Sequence, residues 1–264
     1  MPTRFVAHRG GAALWPENSL LAFRNALAAG AGMLELDVHL TRDGEVAVIH
    51  DPTLDRTSTG TGALRDCTVA DLRAVRLRAR DGTVTDEHVP TLGEVLVIAA
   101  PTAAVLLVEF KGPGRAVRYE RDGERVRAVP GERYEGLEAK VVEALREAGV
   151  AGRAMLMAFN PAVLAEVRRL VPEQPTALLV DRQHVAEPGA ANADTVAWAQ
   201  QAGATFLGMH WTLCDESVVA AARRAAVMVG VFTVNDELTM RRLAALGVDV
   251  IITDRPDLVP KDLA

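Results

Sequence analysis

Short runs of β-branched and other apolar residues alternate with longer stretches of helical periodicity along this chain. This order is typical of βα units that build a parallel sheet. Strands are predicted at residues 4–8, 33–40, 46–50, 105–111, 154–159, 177–180, 205–210, 229–234 and 248–253. Helices are predicted between them at residues 19–29, 92–100, 137–148, 162–170, 195–202, 216–226 and 238–246. The alternation therefore predicts an α/β fold.

The third predicted strand follows the second after the short turn Thr41-Arg42-Asp43-Gly44. So short a connection permits only an antiparallel return, because a parallel neighbour needs a long crossover. We therefore interpret residues 46–50 as a hairpin arm beside the second strand. The eight remaining strands, separated by helical segments, match the count of a (β/α)8 TIM barrel. A doubly wound open sheet stays the alternative.

Two segments interrupt the alternation. Residues 51–89 contain the turn-rich run Thr57-Ser58-Thr59-Gly60-Thr61-Gly62, so we expect a small inserted lobe after the hairpin. Residues 112–136 are densely charged, and apolar and polar residues alternate on both sides of Asp122-Gly123. This pattern indicates a charged loop or a hairpin excursion. Neither segment is long enough for an independent domain, and residues 1–264 are expected to form a single TIM-barrel domain.

Composition argues against several kinds of partner. The formal net charge of −6 and the pI near 5.6, without a clustered basic run, argue against nucleic-acid binding. No apolar run reaches the roughly 18 residues that span a bilayer, and the first residues lack the apolar stretch of a secretory signal. Cys67 and Cys214 lie far apart, without metal-ligand spacing. We therefore expect reduced thiols and a cytoplasmic protein without a stable membrane anchor.

Three carboxylates lie where predicted strands turn polar. Glu35 and Asp37 are two residues apart on one strand, so their side chains project to the same side. Glu109 lies near the end of the next barrel strand. Carboxylates held this close repel one another unless a cation or a proton lies between them. Each acid alone is equally well explained as a surface ion-pair partner, but the all-oxygen set favours a hard divalent ion, Mg²⁺ or Ca²⁺, over zinc.

Two histidines and two cations accompany these acids. His8 and His50 end predicted strands, and imidazole titrates near neutrality, so one ring can accept a proton while the other donates. Arg9 offers a planar set of donors and Lys111 a point charge, both suited to phosphate oxygens. A parallel barrel presents its strand-end side chains at the reaction mouth. The sequence therefore predicts a metal-assisted phosphate site.

Other polar residues are weaker candidates. His39 lies two residues beyond Asp37 and faces the same side, and His210 ends a predicted strand. A structural role is the stronger interpretation of both histidines. Glu17 precedes a predicted helix start, so it is either an orienting group or a charge at a helix N-terminus. The run at residues 57–62 lacks the lysine spacing of a phosphate-binding loop, and a plain loop is expected there.

Several motifs, taken in order along nearly the whole chain, resemble the glycerophosphodiester phosphodiesterase family. They are His8-Arg9-Gly10, Pro16-Glu17-Asn18-Ser19, Glu35-Leu36-Asp37, Thr41-Arg42-Asp43-Gly44, His50-Asp51, Asp55-Arg56-Thr57, Gly60-Thr61-Gly62, Pro90-Thr91-Leu92, Glu109-Phe110-Lys111, Thr233-Val234-Asn235 and Thr253-Asp254-Arg255-Pro256. Any one fragment is weak, but their order and spacing together are specific.

The resemblance implies a TIM-barrel enzyme that hydrolyses a small-molecule glycerophosphodiester to sn-glycerol 3-phosphate and an alcohol. It implies that a divalent ion is held by the three carboxylates, Glu35, Asp37 and Glu109. It also implies an acid–base pair, His8 and His50, and two phosphate-facing cations, Arg9 and Lys111. In the resembling family the nucleophile can be the neighbouring glycerol hydroxyl of the substrate, which gives a cyclic phosphate that water then opens.

Two positions depart from the family pattern. Phe232 stands before the Thr-Val-Asn motif where tryptophan is frequent, and Ala158 stands where serine is frequent. Both are expected near the pocket for the polar head group. The alternatives are a lipid-directed diesterase of the lysophospholipase D type and a non-catalytic phosphate-binding barrel. The sequence leaves open the alcohol released, the ion, the order in which the two histidines act and the oligomeric state.

Overall fold

The computed structural model of the protein describes residues 2–263. Its strands are β1 (Arg4–Ala7), β2 (Met33–Leu40), β3 (Val46–Val48), β4 (Val105–Phe110), β5 (Val117–Asp122), β6 (Arg125–Pro130), β7 (Ala154–Ala158), β8 (Thr176–Val180), β9 (Phe206–His210), β10 (Met228–Phe232) and β11 (Val250–Thr253). Its α-helices are α1 (Leu20–Ala28), α2 (Val69–Ala74), α3 (Leu92–Ala99), α4 (Leu137–Glu147), α5 (Pro161–Leu170), α6 (Arg182–Ala186), α7 (Asp194–Gln201), α8 (Glu216–Ala225) and α9 (Glu237–Leu246).

Eight parallel strands of the described chain close into a barrel. Their order is β1, β2, β4, β7, β8, β9, β10 and β11, and β11 pairs with β1 to complete the ring. Strand β3 pairs antiparallel with β2 outside the ring, with Val48 opposite Val38. The closed ring excludes an open doubly wound sheet. The predicted (β/α)8 TIM barrel with a hairpin arm is confirmed.

Among the strands that end earlier than predicted, three lie just before proposed site residues. Strand β1 stops at Ala7, because the backbone turns at Arg9, whose φ is 52°. Strand β3 stops at Val48, although the N–H of Ile49 still donates to the Asp37 carbonyl of β2 at 3.0 Å. Strand β4 stops at Phe110. As a result His8, His50 and Lys111 follow their strands rather than ending them.

Side chains of the barrel strands pack in two layers because they alternate between the faces of the sheet. Leu34, Leu36 and Val38 of β2 join the outer layer between the barrel and its helices. Met33 of the same strand joins the cluster that fills the barrel. Glu35 and Asp37 share the parity of Met33 and follow it along β2. They therefore face the interior at the C-terminal end, where such barrels carry their sites.

Two segments outside the ring cover parts of the molecule near this end. Within residues 51–89, α2 begins at a reciprocal cap in which the Thr68 and Asp71 side chains each bind the other's backbone N–H. Strands β5 and β6 form an antiparallel hairpin, and Tyr119 of β5 stacks on Trp198 of α7 with ring centroids 4.2 Å apart. Among the described residues, no helix has both the length and the apolar character that crossing a membrane requires.

Candidate active site

Three buried carboxylates meet at the C-terminal end of the barrel. Asp37 of β2 and Glu109 of β4 are partners in the parallel register, and Glu35 lies two residues before Asp37. One carboxylate oxygen of each acid lies within 4.8 Å of those of the other two. The three residues are 1%, 0% and 6% exposed for Glu35, Asp37 and Glu109. Neighbouring parallel strands thus bring the predicted acids together.

Two cations lie against this cluster, and the pKa values of its acids shift in different directions. Lys111 Nζ lies 3.0 Å from Asp37 Oδ1 and also contacts Glu109 Oε1, and Arg9 Nε lies 3.1 Å from Asp37 Oδ2. Burial opposes ionisation of Asp37, but Lys111 and Arg9 lower its pKa well below the usual range. Burial raises the pKa of Glu35, and the charges of Asp37 and Glu109 raise it further. Glu35 is therefore the acid of the cluster whose ionisation most needs an added cation.

The cluster fits a hard divalent ion. Glu35 Oε2 accepts the backbone N–H of Arg9 at 2.9 Å, but Glu35 Oε1 is buried and has no hydrogen-bond partner among residues 2–263. A buried carboxylate oxygen without a partner is costly, and a cation between the three acids would satisfy it. The donors are all oxygen, as Mg²⁺ and Ca²⁺ prefer.

The turn after β1 aims Arg9 at these acids. Residues His8–Gly10 form a tight, kinked turn, in which Arg9 and Gly10 have φ values of 52° and 79°. A Cβ atom at Gly10 would lie 2.8 Å from the Cβ of Ala22 in α1, so this close approach requires glycine. Left-handed backbone at a non-glycine residue is uncommon and concentrates at functional sites. Here it directs the Arg9 N–H to Glu35.

His8 is oriented by a carboxylate from the last barrel strand. Its Nδ1 lies 2.6 Å from Oδ1 of Asp254, which directly follows β11. Asn235 in turn donates from Nδ2 to Asp254 Oδ2 at 2.8 Å. Burial opposes ionisation of Asp254, but the hydrogen bond from His8 lowers its pKa. The other ring nitrogen, Nε2, lies 3.8 Å from Glu35 Oε2 and so faces the acids.

His50 reaches the site from the hairpin outside the ring. The N–H of Ile49 donates to the Asp37 carbonyl at 3.0 Å, which places His50 beside β2. His50 Nδ1 lies 2.6 Å from Asp51 Oδ1. That hydrogen bond, together with Arg56 and against the effect of burial, holds the pKa of Asp51 below its usual range. Both histidines therefore offer Nδ1 to a carboxylate and leave Nε2 free.

Glu17 connects the surroundings of the two histidines. It accepts hydrogen bonds from Arg9 Nη1 at 2.9 Å and from Arg56 Nη2 at 2.8 Å. Arg56 also donates from Nε to Asp51 Oδ2 at 2.6 Å. Of the two interpretations of Glu17, these contacts match the orienting group.

The weaker histidine candidates have structural partners. His39 is fully buried, and its Nε2 lies 3.0 Å from the His50 carbonyl while Nδ1 lies 3.1 Å from the Tyr134 hydroxyl. A carbonyl only accepts, so Nε2 carries the proton and Nδ1 accepts from Tyr134. Burial lowers the pKa of His39 to about 4. His39 thus supports the His50 backbone, whereas His210 Nδ1 contacts the Thr212 hydroxyl at 2.8 Å.

The two departures from the family pattern lie in different layers. Phe232 packs on the interior cluster and meets Phe159 edge-on, with ring centroids 6.0 Å apart. Ala158 is fully buried in the outer layer, so its predicted place near the head-group pocket is wrong. The physical reason is alternation along β7, which turns Phe159 to the mouth and Ala158 away from it.

Sequence reasoning assigned no orienting role to Asp51, Asp254 or Asn18. Asp51 and Asp254 both lie inside the family motifs. The position of Asp51 directly after His50 was a signal that could have found it. Asn18 is 2% exposed and donates from Nδ2 to Asp37 Oδ2 at 2.8 Å. The His8–Asp254 contact joins residues 246 positions apart, so no local spacing could reveal it.

A cavity of about 450 Å³ opens beside this cluster. On one wall it is lined by residues of the site, namely His8, Arg9, Glu17, Arg56 and Asp254. The space next to His8 and Arg9 suits a small phosphate ester.

Comparison with known proteins identifies the family. Residues 8–258 match the model of the glycerophosphoryl diester phosphodiesterase family. The chain is 30% identical to a glycerophosphodiester phosphodiesterase of Caldanaerobacter subterraneus, with 97% of this chain and 96% of the relative covered. It is 31% identical to one of Bacillus altitudinis, with 98% and 97% covered. A crystal structure of a putative glycerophosphoryl diester phosphodiesterase from Silicibacter pomeroyi superposes with a TM-score of 0.83 at 26% identity, covering 99% and 93% of the two chains. The resemblance predicted from the motifs is confirmed, and this chain belongs to the glycerophosphoryl diester phosphodiesterase family.

Proposed function

We propose that the protein hydrolyses a glycerophosphodiester to sn-glycerol 3-phosphate and an alcohol, with Mg²⁺ or Ca²⁺ at Glu35, Asp37 and Glu109. One observation carries this proposal: three buried acids lie beside two histidines, and a carboxylate orients each histidine. Membership of the family and the names of the relatives support the substrate class.

The bound ion would supply Lewis-acid stabilisation of the charge that develops on the phosphoryl oxygens. Arg9 and Lys111 flank Asp37 from two sides, so both cations stand next to any anion held at the acids. Preorganised cations of this kind stabilise a transition state without moving. They also orient the phosphate between the histidines.

The two histidines would move the protons. One Nε2 takes the proton of the attacking hydroxyl, and the other imidazolium gives a proton to the departing alkoxide. Asp254 and Asp51, on the opposite ring nitrogens, fix each tautomer and stabilise the imidazolium when it forms. Attack by the neighbouring glycerol hydroxyl is intramolecular, and it removes an entropic barrier that an external nucleophile would meet.

The cavity favours a water-soluble diester over a lipid-directed one. Its walls carry many charged side chains, including Arg9, Glu17, Arg56 and Asp254. A lysophospholipase D-like enzyme needs an apolar groove for an acyl chain, because burying hydrocarbon against charges forfeits the hydrophobic gain. A turnover assay distinguishes the enzyme from a non-catalytic phosphate-binding barrel.

The test follows release of choline and of glycerol 3-phosphate from glycerophosphocholine. We expect activity that is lost with exhaustive chelation and restored by Mg²⁺ or Ca²⁺. His8→Ala and His50→Ala should each lower turnover by about 10²–10⁴-fold, the range of general acid–base catalysis. His88→Ala is the matched control. His88 Nε2 lies 3.5 Å from Glu94 Oε1, and neither residue lines the active-site cavity. Circular dichroism and Tm monitor folding.

Three outcomes would contradict this proposal. Wild-type turnover in a folded His8 or His50 variant would remove the acid–base assignment. Full activity after chelation would remove the ion. Tight binding of sn-glycerol 3-phosphate, with no turnover of any glycerophosphodiester, would favour the binding barrel.

A further inference from the structure

Two further arginines line the same cavity as His8 and Arg9. Arg78 and Arg80 belong to the 51–89 segment, and both line the same cavity of about 450 Å³. The mechanism proposed above assigns no task to either residue.

The charges around this cavity do not balance. Arg56 and Arg9 are both paired with Glu17, and Asp254 is paired with His8. Within residues 2–263, neither Arg78 nor Arg80 has a carboxylate oxygen within 4.0 Å of its guanidinium nitrogens. Arg78 donates from Nε to the Ser58 carbonyl at 3.0 Å, and its terminal nitrogens have no hydrogen-bond partner among the described residues. The cavity wall thus carries two positive charges in excess.

The backbone that carries these arginines is ordered by hydrogen bonds. The Arg78 N–H donates to the Thr57 carbonyl at 2.8 Å, and the Ala79 N–H donates to the Thr83 carbonyl at 2.8 Å. Leu77, the residue before them, is 3% exposed in the apolar cluster of this segment. The guanidinium groups therefore project from a fixed turn, which lowers the entropic cost of binding an anion.

We propose that Arg78 and Arg80 bind a second anionic group, a phosphate on the alcohol arm of the substrate, and so favour diesters with a phosphorylated head group. This inference rests on the proposed function. The glycerol arm of a glycerophosphodiester carries no charge beyond the scissile phosphate. Only the alcohol arm can therefore use two additional cations, and the guanidinium fork matches phosphate oxygens in charge and geometry.

The test compares two diesters that differ by one phosphate, glycerophosphoinositol and glycerophosphoinositol 4-phosphate. In the wild type we expect kcat/KM to be about tenfold higher for the phosphorylated diester, as charge-assisted hydrogen bonds of this kind provide. The preference should shrink as ionic strength rises, because salt screens the partly exposed arginines.

Arg80→Gln and Arg78→Gln should each reduce the preference, mainly through KM, and leave turnover of glycerophosphoinositol unchanged. Arg80 is exposed and has no ion-pair partner within residues 2–263, so its substitution does not threaten folding. Arg76→Gln is the matched control, because Arg76 is an exposed arginine of the same segment that does not line the cavity. It should keep the full preference.

Each result decides between separate claims. Turnover of glycerophosphoinositol or of glycerophosphocholine, without preference for the phosphorylated diester, overturns this inference alone. An equal loss for both inositol diesters in Arg80→Gln also overturns it, because the arginines would then only attract the scissile phosphate. An equal effect of Arg76→Gln does the same. No turnover of any diester overturns the proposed function, and the inference falls with it.

Discussion

Both proposed acid–base histidines share one arrangement at the residue scale: Nδ1 contacts a carboxylate, and Nε2 remains for chemistry. The two Nδ1–Oδ1 distances are equal, 2.6 Å for His8–Asp254 and for His50–Asp51. The carboxylates differ in their own support, since Asn235 holds Asp254 and Arg56 holds Asp51. Each ring is therefore oriented before substrate arrives.

Replacing Asp254 by asparagine tests this orientation. An amide can present its N–H₂ to Nδ1, which would leave the proton on Nε2 and reverse the tautomer. We expect kcat in Asp254→Asn to fall by about 10²–10⁴-fold, as in hydrolases whose histidine loses its orienting carboxylate. The measurement is steady-state turnover of glycerophosphocholine, with Tm as the check on folding.

Asp257→Asn is the control for this variant. Asp257 lies on the same segment and pairs with Arg255 at 2.7 Å on the surface, so its loss should leave kcat nearly unchanged. Wild-type kcat in folded Asp254→Asn would show that the contact is structural only.

Alternation on a strand made part of the site predictable from sequence. Two acids at spacing two on β2 had to share a face, and the structure places Glu35 and Asp37 together. The same rule, applied to β7, would have placed Ala158 in the outer layer. The orienting contact of Asn18 lay beyond prediction, and sequence could not choose between the two interpretations of Glu17, because both contacts depend on a left-handed turn and on side-chain conformations that no spacing records.

At the scale of single elements, α6 depends on a neutral histidine. Its N-cap is Asp181, whose backbone N–H donates to His184 Nδ1 at 3.0 Å. His184 is 4% exposed and lies against Tyr119 and Phe159. Burial lowers the pKa of His184 from 6.5, while nearby Asp181 and Glu187 act to raise it and Arg115 to lower it. Protonation would turn the His184 Nδ1 from an acceptor into a donor. It would then face the Asp181 N–H, which is also a donor.

This arrangement predicts a pH-dependent stability. The unfolded chain binds a proton at His184 near its usual pKa of 6.5, whereas the folded chain binds it only at lower pH. The free energy of unfolding therefore rises with pH through this window, and stability is lost as pH falls below about 6.5. His184→Gln keeps an acceptor for the Asp181 N–H but does not titrate.

Urea unfolding at pH 5 and pH 7.5 measures the effect. We expect the difference between the two pH values to be smaller in His184→Gln than in the wild type. An unchanged difference would mean that other groups account for the pH dependence.

Helix α6 itself escaped prediction because it spans Arg182–Ala186, too few residues for helical periodicity to appear. Long barrel helices were predictable, and α5 over Pro161–Leu170 agrees closely with the expected residues 162–170. Its apolar residues recur at helical spacing, and Asn160 caps its first turn.

At the scale of the whole molecule, two glycines of the barrel strands leave room for interior side chains of neighbouring strands. Phe206 of β9 is 1% exposed in the interior cluster. A Cβ atom at Gly230 of β10 would lie 2.6 Å from that ring, and one at Gly208 would lie 2.5 Å from Leu179. The interior is therefore packed without room for another methyl group at these positions.

Gly230→Ala should destabilise the protein by about 1–3 kcal/mol, the usual cost of overpacking a core. Gly32→Ala is the matched control, because a Cβ atom at Gly32 meets nothing within 4 Å. The measurement is the midpoint of urea unfolding for both variants. Equal midpoints would show that the barrel interior adapts to the added methyl group at no cost.

Closure of the ring separates the features that could be predicted from the sequence from those that could not. Eight strands with helices between them predicted the barrel and its C-terminal mouth. Only closure brings β1 against β11, in register from Arg4 with Val250 to Ala7 with Thr253. That pairing carries Asp254 to His8, so the most distant contact of the site depends on the completed fold.

Strand β3 stands outside the closed ring, yet the residue two positions beyond its end is one of the two proposed proton carriers. The ring alone supplies the carboxylates and the first imidazole; the second imidazole comes from an appendage. Anion capture and one proton carrier therefore belong to the ring, and the other proton carrier belongs to the hairpin arm. Variation in the appendage can retune or silence hydrolysis while the scaffold beneath it stays intact.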